Sequence, residues 1–360
     1  MVRSGGTLVI AEAGVNYNGS LGMALDMISA AKEAGADVVK FQSGKPELVV
    51  SKFAPKAEYQ KETTGGDESQ LDMLKKLGPP RDIHGDLVAK CRELDIEFLS
   101  TPFDLPSVDL LVSLGVARLK IPSGEITNWP LIRLVGSTGK PAIMSTGMAA
   151  LDEIRLALGV YLLGALLPET IPTDERVLDI YASREGRDYL KKNMTLLQCT
   201  TAYPTPPEDV NLLVMDTLAE TFGLPVGLSD HTEGIEISLA AAARGAAIVE
   251  KHFTLDKNLP GPDHKASVTP EELRALVSGV RNINLALGKG EKSVAQSEAK
   301  NVAIARRSLV AAKPVKKGGV FTEENLLFKR PGTGIPPSKY WEYIGKIAER
   351  DYEEDELIDE

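Results

Sequence analysis

Residues 7–42 read TLVIAEAGVNYNGSLGMALDMISAAKEAGADVVKFQ, and the architecture follows from how this stretch is built. Two short apolar runs, Thr7–Ala13 and Ala36–Gln42, flank Leu21–Glu33, whose apolar residues recur at helical spacing. Gly19-Ser20 opens that helix and Ala34-Gly35 stops it, which predicts strand, helix, strand. Strands joined through a helix are parallel, and parallel strands need helices to cover them. Each run is apolar through its middle and turns polar at its end, at Glu12 in the first and at Lys40 and Gln42 in the second.

The same rhythm continues along most of the chain, in the runs Thr7–Ala13, Ala36–Gln42, Glu97–Phe103, Ala117–Ser123, Pro141–Gly147, Thr195–Tyr203, Pro225–Asp230 and Ala246–Thr254. Each is followed by a candidate helix, the last being Pro270–Leu287. Eight such units predict an α/β fold, a (β/α)8 TIM barrel spanning residues 1–287. The stretch Leu163–Asn193 is too long for one helix–strand connection and reads as an insertion. Gly288–Lys300, rich in Gly, Lys, Ser and Glu, reads as a linker. Residues 301–360 follow a different pattern: Ser308–Ala312, Val320–Leu327 and Tyr343–Ala348 are short and divided by Gly- and Pro-rich turns, as in a small β-rich domain.

Bulk properties narrow the function. A net charge of −10, spread along 360 residues, argues against a nucleic-acid footprint, so any bound anion must be held by local lysines. Cys91 and Cys199 are the only cysteines and fall in a helix and a buried strand, which points to a reducing compartment rather than a disulfide framework. The apolar run that follows Met1–Thr7 is too short for a signal sequence or a membrane span, so a cytoplasmic protein is expected.

The carboxyl ends of barrel strands build the catalytic face. The predicted ends offer Glu12; Lys40 and Gln42; Ser100 and Thr101; Lys120, Ser123 and Glu125; Ser145 and Thr146; Thr201 and Tyr203; Ser229, Asp230 and His231; and His252. Lys40 and Lys120 would lie at the mouth of an apolar barrel, where an unpaired charge is costly, and an anion with several oxygens, such as a phosphorylated carboxylic acid, would engage both. Thr101, Ser123 and Ser145 would add hydroxyl donors. The competing reading is a Lys–Glu ion pair across the mouth, with Glu12 or Glu125 as the carboxylate instead of acid/base or sugar-hydroxyl partner. His231 and His252 end adjacent strands and could bind a divalent metal with positions left for water and substrate, or serve as hydrogen-bonded structural residues. Tyr203 reads as a loop anchor or a substrate contact, His84 as a surface-turn residue, and His264 as part of the loop Gly261-Pro262-Asp263-His264.

The motifs Ile10-Ala11-Glu12-Ala13-Gly14-Val15-Asn16, Val39-Lys40-Phe41-Gln42, Ser100-Thr101-Pro102-Phe103, Lys120-Ile121-Pro122-Ser123-Gly124-Glu125 and Ser145-Thr146-Gly147-Met148 resemble those of sialic acid synthases. Gly227-Leu228-Ser229-Asp230-His231, Glu250-Lys251-His252-Phe253-Thr254, Gly261-Pro262-Asp263-His264 and Lys329-Arg330-Pro331 continue the resemblance in the same order. Asp67–Leu71, Thr254–Asn258 and Glu354–Ile358 are most similar to the N,N′-diacetyllegionaminate synthases within that family. The resemblance implies condensation of phosphoenolpyruvate with an N-acetylated mannose-type sugar, giving a nine-carbon 2-keto acid and phosphate with the help of Mn2+ or Mg2+.

It further implies that Lys40, Thr101, Lys120, Ser123, Ser145 and Ser229 hold phosphoenolpyruvate and that His231 and His252 hold the metal. Glu12, Gln42, Tyr203 and Asp263 would orient sugar and water, with Glu12, Lys120, Glu125 and Asp263 as the catalytic set. Residues 301–360 would be an antifreeze-like (SAF) domain whose Arg330 reaches the sugar bound by the partner of a domain-swapped homodimer. Thr201, a candidate substrate contact, stands where simple sialic acid synthases commonly have Asn. The alternatives are an N-acetylneuraminate or pseudaminate synthase, a phosphoenolpyruvate-aldose synthase using a phosphosugar, and a glycan- or surface-binding protein on a barrel scaffold.

Overall fold

The structure is a computed structural model that describes residues 6–57, 60–61, 68–78 and 82–359. Most of the amino-terminal segment Met1–Thr7, and Asp67 of the Asp67–Leu71 motif, lie outside the described residues. The chain divides into two compact units, Met1–Lys289 and Gly290–Glu360.

In the first unit eight parallel strands, β1 Leu8–Gly14, β2 Val38–Ser43, β3 Glu97–Pro102, β4 Leu119–Ile121, β5 Ala142–Ser145, β6 Met194–Cys199, β7 Val226–Asp230 and β8 Ile248–His252, form one sheet. Its hydrogen-bonded order is β3-β2-β1-β8-β7-β6-β5-β4, so the first and last strands pair and the ladder is interrupted between β3 and β4. Among the described residues the outer layer includes the helices α1 Leu21–Glu33, α2 His84–Glu93, α3 Leu105–Ser113, α4 Trp129–Ser137, α5 Leu151–Leu166, then α8 Val214–Phe222, α9 Glu236–Ala243 and α10 Pro270–Ala286. Local chemistry sets their ends: Ser20 caps α1 by accepting from Met23 N, and Thr269 and Glu272 form a reciprocal cap on α10.

Several strands are shorter at their carboxyl ends than the apolar runs suggested, β8 among them, which stops at His252. Pro122 and Ser123 turn β4 into a one-turn 3-10 helix, Ser123–Glu125. Beyond Cys199 the run containing Pro204, Pro206 and Pro207 lacks amide donors for a ladder, so Thr201 and Tyr203 lie on a loop rather than on β6. β5 stops at Ser145. The predicted insertion begins later than Leu163, because α5 runs to Leu166; the extra structure is α6 Asp174–Ala182 and α7 Arg184–Asn193.

The helix layer is held closely by glycines. A Cβ on Gly164 of α5 would stand 2.0 Å from the Arg133 carbonyl oxygen of α4, and one on Gly136 of α4 would stand 2.1 Å from the Tyr161 oxygen of α5. The two helices therefore meet backbone to backbone, which leaves no room for a methyl group.

The second unit has its own core of Leu309, Ala311, Val315, Phe321, Leu326, Ile335, Ala348, Tyr352 and Ile358. Its antiparallel pair is β9 Ser308–Ala311 with β10 Leu326–Lys329, supplemented by the single bridges Val310–Leu357, Val315–Tyr352 and Val320–Ile347. The β content is lower than the run lengths implied, since Val320 makes one bridge and Tyr340–Tyr343 is helical. The end of the predicted linker is also helical, as Ala299–Ala305 begins inside it.

Gly164→Ala should force α4 and α5 apart and cost roughly 1–3 kcal/mol, read as a fall of about 2–4 °C per kcal/mol in thermal unfolding. Gly85→Ala, in α2 with nothing within 4 Å of the new methyl, should leave the midpoint unchanged or slightly raised. Equal midpoints for the two variants would refute the close-packed crossing.

Candidate active site

Side chains along a strand alternate between the barrel interior and the helix layer. The interior floor is a small apolar cluster containing Ile10, Val38, Leu99, Ile143, Leu197 and Ile248. Two residues further along the same strands stand Glu12, Lys40, Thr101, Ser145, Cys199 and Glu250, all buried. The next inward position on β8 is His252. One strand period thus separates hydrocarbon from a polar layer, and it brings these side chains to one level at the carboxyl end of the barrel.

The centre of that layer is a cluster of four charged residues. Lys40 Nζ is 3.0 Å from Glu12 Oε2 and 3.6 Å from Glu250 Oε1, and it donates to Thr101 Oγ1 at 3.1 Å. Lys120 Nζ is 3.4 Å from the same Glu250 oxygen and donates to Ser145 Oγ. Ser229 Oγ donates to Glu250 Oε1 at 2.9 Å. Glu250 is therefore shared by both lysines. It was not singled out from the sequence, although it sits two residues from Ile248 and two from His252, and the alternation of β8 alone points it inward.

Burial would raise Glu250, but Lys120 and Lys40 outweigh it and hold this carboxyl well below the usual range. Glu12 goes the other way: burial raises it, Lys40 offsets only part, the Glu250 charge adds to the rise, and the result is about 7. Burial lowers Lys120, and the attraction of Glu250 does not restore it. Lys40, next to two carboxylates, is raised despite its burial. Lys120 thus lacks a carboxylate of its own, which makes it the group with most to gain from an incoming anion.

His231 and His252 stand beside this cluster with ring centroids 5.3 Å apart. His231 Nδ1 donates to the Thr200 carbonyl at 2.8 Å, which leaves Nε2 as the free lone pair. His252 Nδ1 is buried without a hydrogen-bond partner and lies 4.0 Å from Asp263 Oδ2. Burial raises the Asp263 carboxyl to about 6 and drives His252 well below its ordinary value, so its imidazole is neutral and able to ligate. Two imidazoles, one with an orphaned buried nitrogen, fit a divalent cation. Among the described residues no three His, Cys, Asp or Glu side chains form a closed cage, so water and substrate would supply the remaining ligands.

The other predicted residues divide into those near this layer and those away from it. Ser123 Oγ accepts from Gly147 N at 3.0 Å, and a Cβ on Gly147 would meet Ser123 Oγ and Thr201 Oγ1 at 2.9 and 2.6 Å, so the two hydroxyls flank one bare backbone site. The Tyr203 ring lies 4.2 Å from His231 and 5.7 Å from His252, centroid to centroid, and packs on the histidine side of the layer. Gln42 Nε2 reaches Glu12 Oε1 at 3.4 Å. Glu125 is half-exposed and accepts from Asn128 Nδ2 at 2.6 Å; its described partner belongs to the following helix and not to the charged cluster. Arg330 is exposed in the second unit and donates from Nε to the Ala305 carbonyl. His84, expected on a surface turn, opens α2 and meets the Ser43 hydroxyl at 2.6 Å. His264 is fully buried and meets Thr254 Oγ1 at 2.7 Å, anchoring the Asp263 loop.

This geometry has relatives. Residues 27–292 match the NeuB family, and residues 306–360 match the SAF domain. The chain belongs to the NeuB family. The N,N'-diacetyllegionaminic acid synthase of Campylobacter jejuni is 50% identical over 98% of this chain and 99% of its own length. The enzyme of the same name from Legionella pneumophila is 45% identical over 94% of this chain and 89% of its own. The crystal structure of the N-acetylneuraminic acid (sialic acid) synthetase of Leptospira borgpetersenii, in complex with citrate, superposes with a TM-score of 0.65 at 32% identity, covering 83% of this chain and 90% of that one.

The raised Glu12 of this NeuB-family chain has a measurable consequence for the ligand-free, metal-free protein. Its carboxyl ionises near 4.5 when unfolded and near about 7 when folded, so between those values the native state holds a proton that the unfolded state has lost. The contribution of Glu12 to stability should therefore fall as pH rises through that window, by up to about 1.4 kcal/mol per pH unit, and then level off. Glu12→Gln should flatten this slope in chemical denaturation, and an unchanged slope would remove Glu12 as its source.

Proposed function

We propose that this NeuB-family enzyme is an N,N′-diacetyllegionaminate synthase. It joins phosphoenolpyruvate to 2,4-diacetamido-2,4,6-trideoxymannose and releases phosphate. The observation that carries the reading is the pair of buried lysines sharing one carboxylate, with Ser145, Ser229 and Thr101 on the same cluster. An anion with both a carboxylate and a phosphate would supply the charge that Lys120 lacks and the acceptors that the hydroxyls need. The choice of acceptor sugar is supported by two relatives at 50% and 45% identity that carry the legionaminic name.

In this scheme Lys40 and Lys120 hold phosphoenolpyruvate across the mouth, with Ser123, Ser145, Ser229 and Thr101 donating to its oxygens. C3 of phosphoenolpyruvate forms the new bond to the aldehyde carbon of the open-chain sugar, whose oxygen takes up a proton. Water adds at C2, and the C2–O bond to phosphate breaks. His231 and His252 would hold Mn2+ or Mg2+, which would supply Lewis acidity. Asp263 and Glu12, with carboxyls raised by burial to about 6 and about 7, can exchange protons near neutral pH. Tyr203, packed on His231, and Gln42, bonded to Glu12, orient the sugar. Thr201, beside Gly147, contributes a small hydroxyl to the same pocket.

Phosphate release should be much faster with the 2,4-diacetamido sugar than with N-acetylmannosamine, and chelation should abolish it while the far-ultraviolet circular dichroism stays unchanged. Turnover confined to a phosphorylated sugar would overturn the acceptor assignment, and loss of fold on chelation would make the metal structural instead.

We further propose that the SAF domain serves the site of a second subunit through Arg330. Mixing inactive Lys120→Ala and Arg330→Ala proteins under exchange should then rebuild about one quarter of the wild-type sites, because random pairing makes half of the dimers mixed and each mixed dimer has one intact site. No recovery of turnover would place Arg330 in its own subunit's site, and full activity of Arg330→Ala alone would remove it from the site.

A further inference from the structure

β7 and β8 carry a second buried ion pair, on the side of the wall away from the anion cradle. Because Ser229 and Glu250 point inward, their register neighbours Asp230 and Lys251 point outward, between the strands and the helix layer. Lys251 Nζ lies 3.0 Å from Asp230 Oδ2 and donates to the Thr232 carbonyl at 2.5 Å and to Thr232 Oγ1 at 3.4 Å. Asp230 Oδ1 accepts from Thr232 N and Thr232 Oγ1 at 2.9 and 2.8 Å, and Oδ2 also accepts from Ser238 Oγ of α9 at 2.5 Å. Lys251 and Asp230 are 1% and 2% exposed, so the network is sealed from water.

Two facts give this pair a purpose beyond holding strands together. First, a fully buried ion pair is a poor source of stability, since desolvation consumes most of the attraction and an apolar pair of similar volume packs as well. Second, its members bracket the two imidazoles in the chain. Asp230 and Thr232, both pinned in the network, flank His231, and Lys251 precedes His252. The backbone that carries each imidazole is thus tied to the other by one short set of charge-assisted hydrogen bonds. On the inner side His231 is also held by the Thr200 and Thr205 backbone bonds and His252 by the Val268 bond and its pairing with β1, and the Tyr203 ring packs against both imidazoles.

We propose that the Asp230–Lys251 pair is a positioning device that sets the separation of His231 and His252 for divalent-cation binding. The proposal rests on the reading that these two histidines hold the cation. Hydrogen-bonded groups behind metal ligands typically change metal affinity about 10- to 100-fold when removed.

The test uses the full-length protein without substrates and follows Mn2+ binding through the paramagnetic resonance signal of free Mn2+, with thermal unfolding measured in parallel. Asp230→Leu combined with Lys251→Met removes both charges and fills their space. It should stay folded, with a lowered unfolding temperature because Thr232 and Ser238 lose their partners, and bind Mn2+ about 10- to 100-fold more weakly. Asp230→Asn combined with Lys251→Gln keeps a hydrogen-bonded link without charge, and should fold and recover part of the affinity. If wild type binds Mn2+, His231→Ala does not, and the Leu/Met variant binds as wild type does, the positioning role is wrong while the metal site stands. If His231→Ala binds Mn2+ as wild type does, or wild type binds none, the metal reading fails and the proposal falls with it. Should the Leu/Met variant not fold, the Asn/Gln variant decides: Mn2+ binding weaker than wild type supports the positioning role, and full wild-type affinity shows that the charged pair does not set the histidines and overturns it.

Discussion

Two buried ammonium groups, Lys40 and Lys120, face each other across the mouth of an apolar barrel and share the Glu250 carboxylate between them. Leaving such charges unpaired in this setting would cost several kcal/mol each. The fold meets that demand only in part: Lys40 has Glu12 as well, whereas Lys120 has Ser145 and a share of Glu250. Around this imbalance the other features fall into place. The hydroxyls of Thr101, Ser145 and Ser229 already point to the same charges, and Glu12 is raised by its burial, with the Glu250 charge adding to the rise. A site held in this state favours a multiply charged anion without needing a net positive surface, consistent with a chain of net charge −10.

Much of this arrangement was legible in the residues, for an identifiable reason. The switch from apolar to polar along each strand reports the depth at which the barrel interior ends, so Glu12, Lys40, Thr101, Lys120, Ser145 and His252 could be found without coordinates. Side-chain direction was harder. Treating the last few residues of a run as equivalent merged Ser229, which faces Glu250, with Asp230, which faces the helices, and it passed over Glu250 between Val249 and Lys251. Counting in twos from Ile248 would have separated them. Cys199 escaped notice in the same way, two residues beyond Leu197. Thr201 and Tyr203 were placed on a strand because apolar content does not reveal where consecutive prolines withdraw ladder donors.

Other features depend on information that no local pattern carries. The glycine contacts between α4 and α5 are set by tertiary proximity, since Gly136 and Gly164 look like ordinary helix-weakening residues in the chain. The end of α5 lies past Leu163 because apolar side chains continue to Leu166, and only then do α6 and α7 begin. Glu125 lies close in sequence to Ser123, but one turn of 3-10 helix separates a residue bonded to Gly147 from one bonded to Asn128. The role of Arg330 is a question about assembly, which the side chains of a single chain do not answer.

The two sides of β7 and β8 divide the chemistry. Inward, Ser229 and Glu250 belong to the charged cluster and His252 stands beside it; outward, Asp230 and Lys251 pair with each other next to both imidazoles in the chain. The anion cradle remains the central claim, and calorimetric titration of phosphoenolpyruvate into the full-length protein and its Lys120→Met variant tests it most directly. Loss of the under-neutralised ammonium should weaken binding by about 100-fold, or close to 3 kcal/mol, while Glu250 keeps Lys40 and Ser229 as partners and the protein stays folded. A folded Lys120→Met protein that binds phosphoenolpyruvate as tightly as wild type would contradict the account.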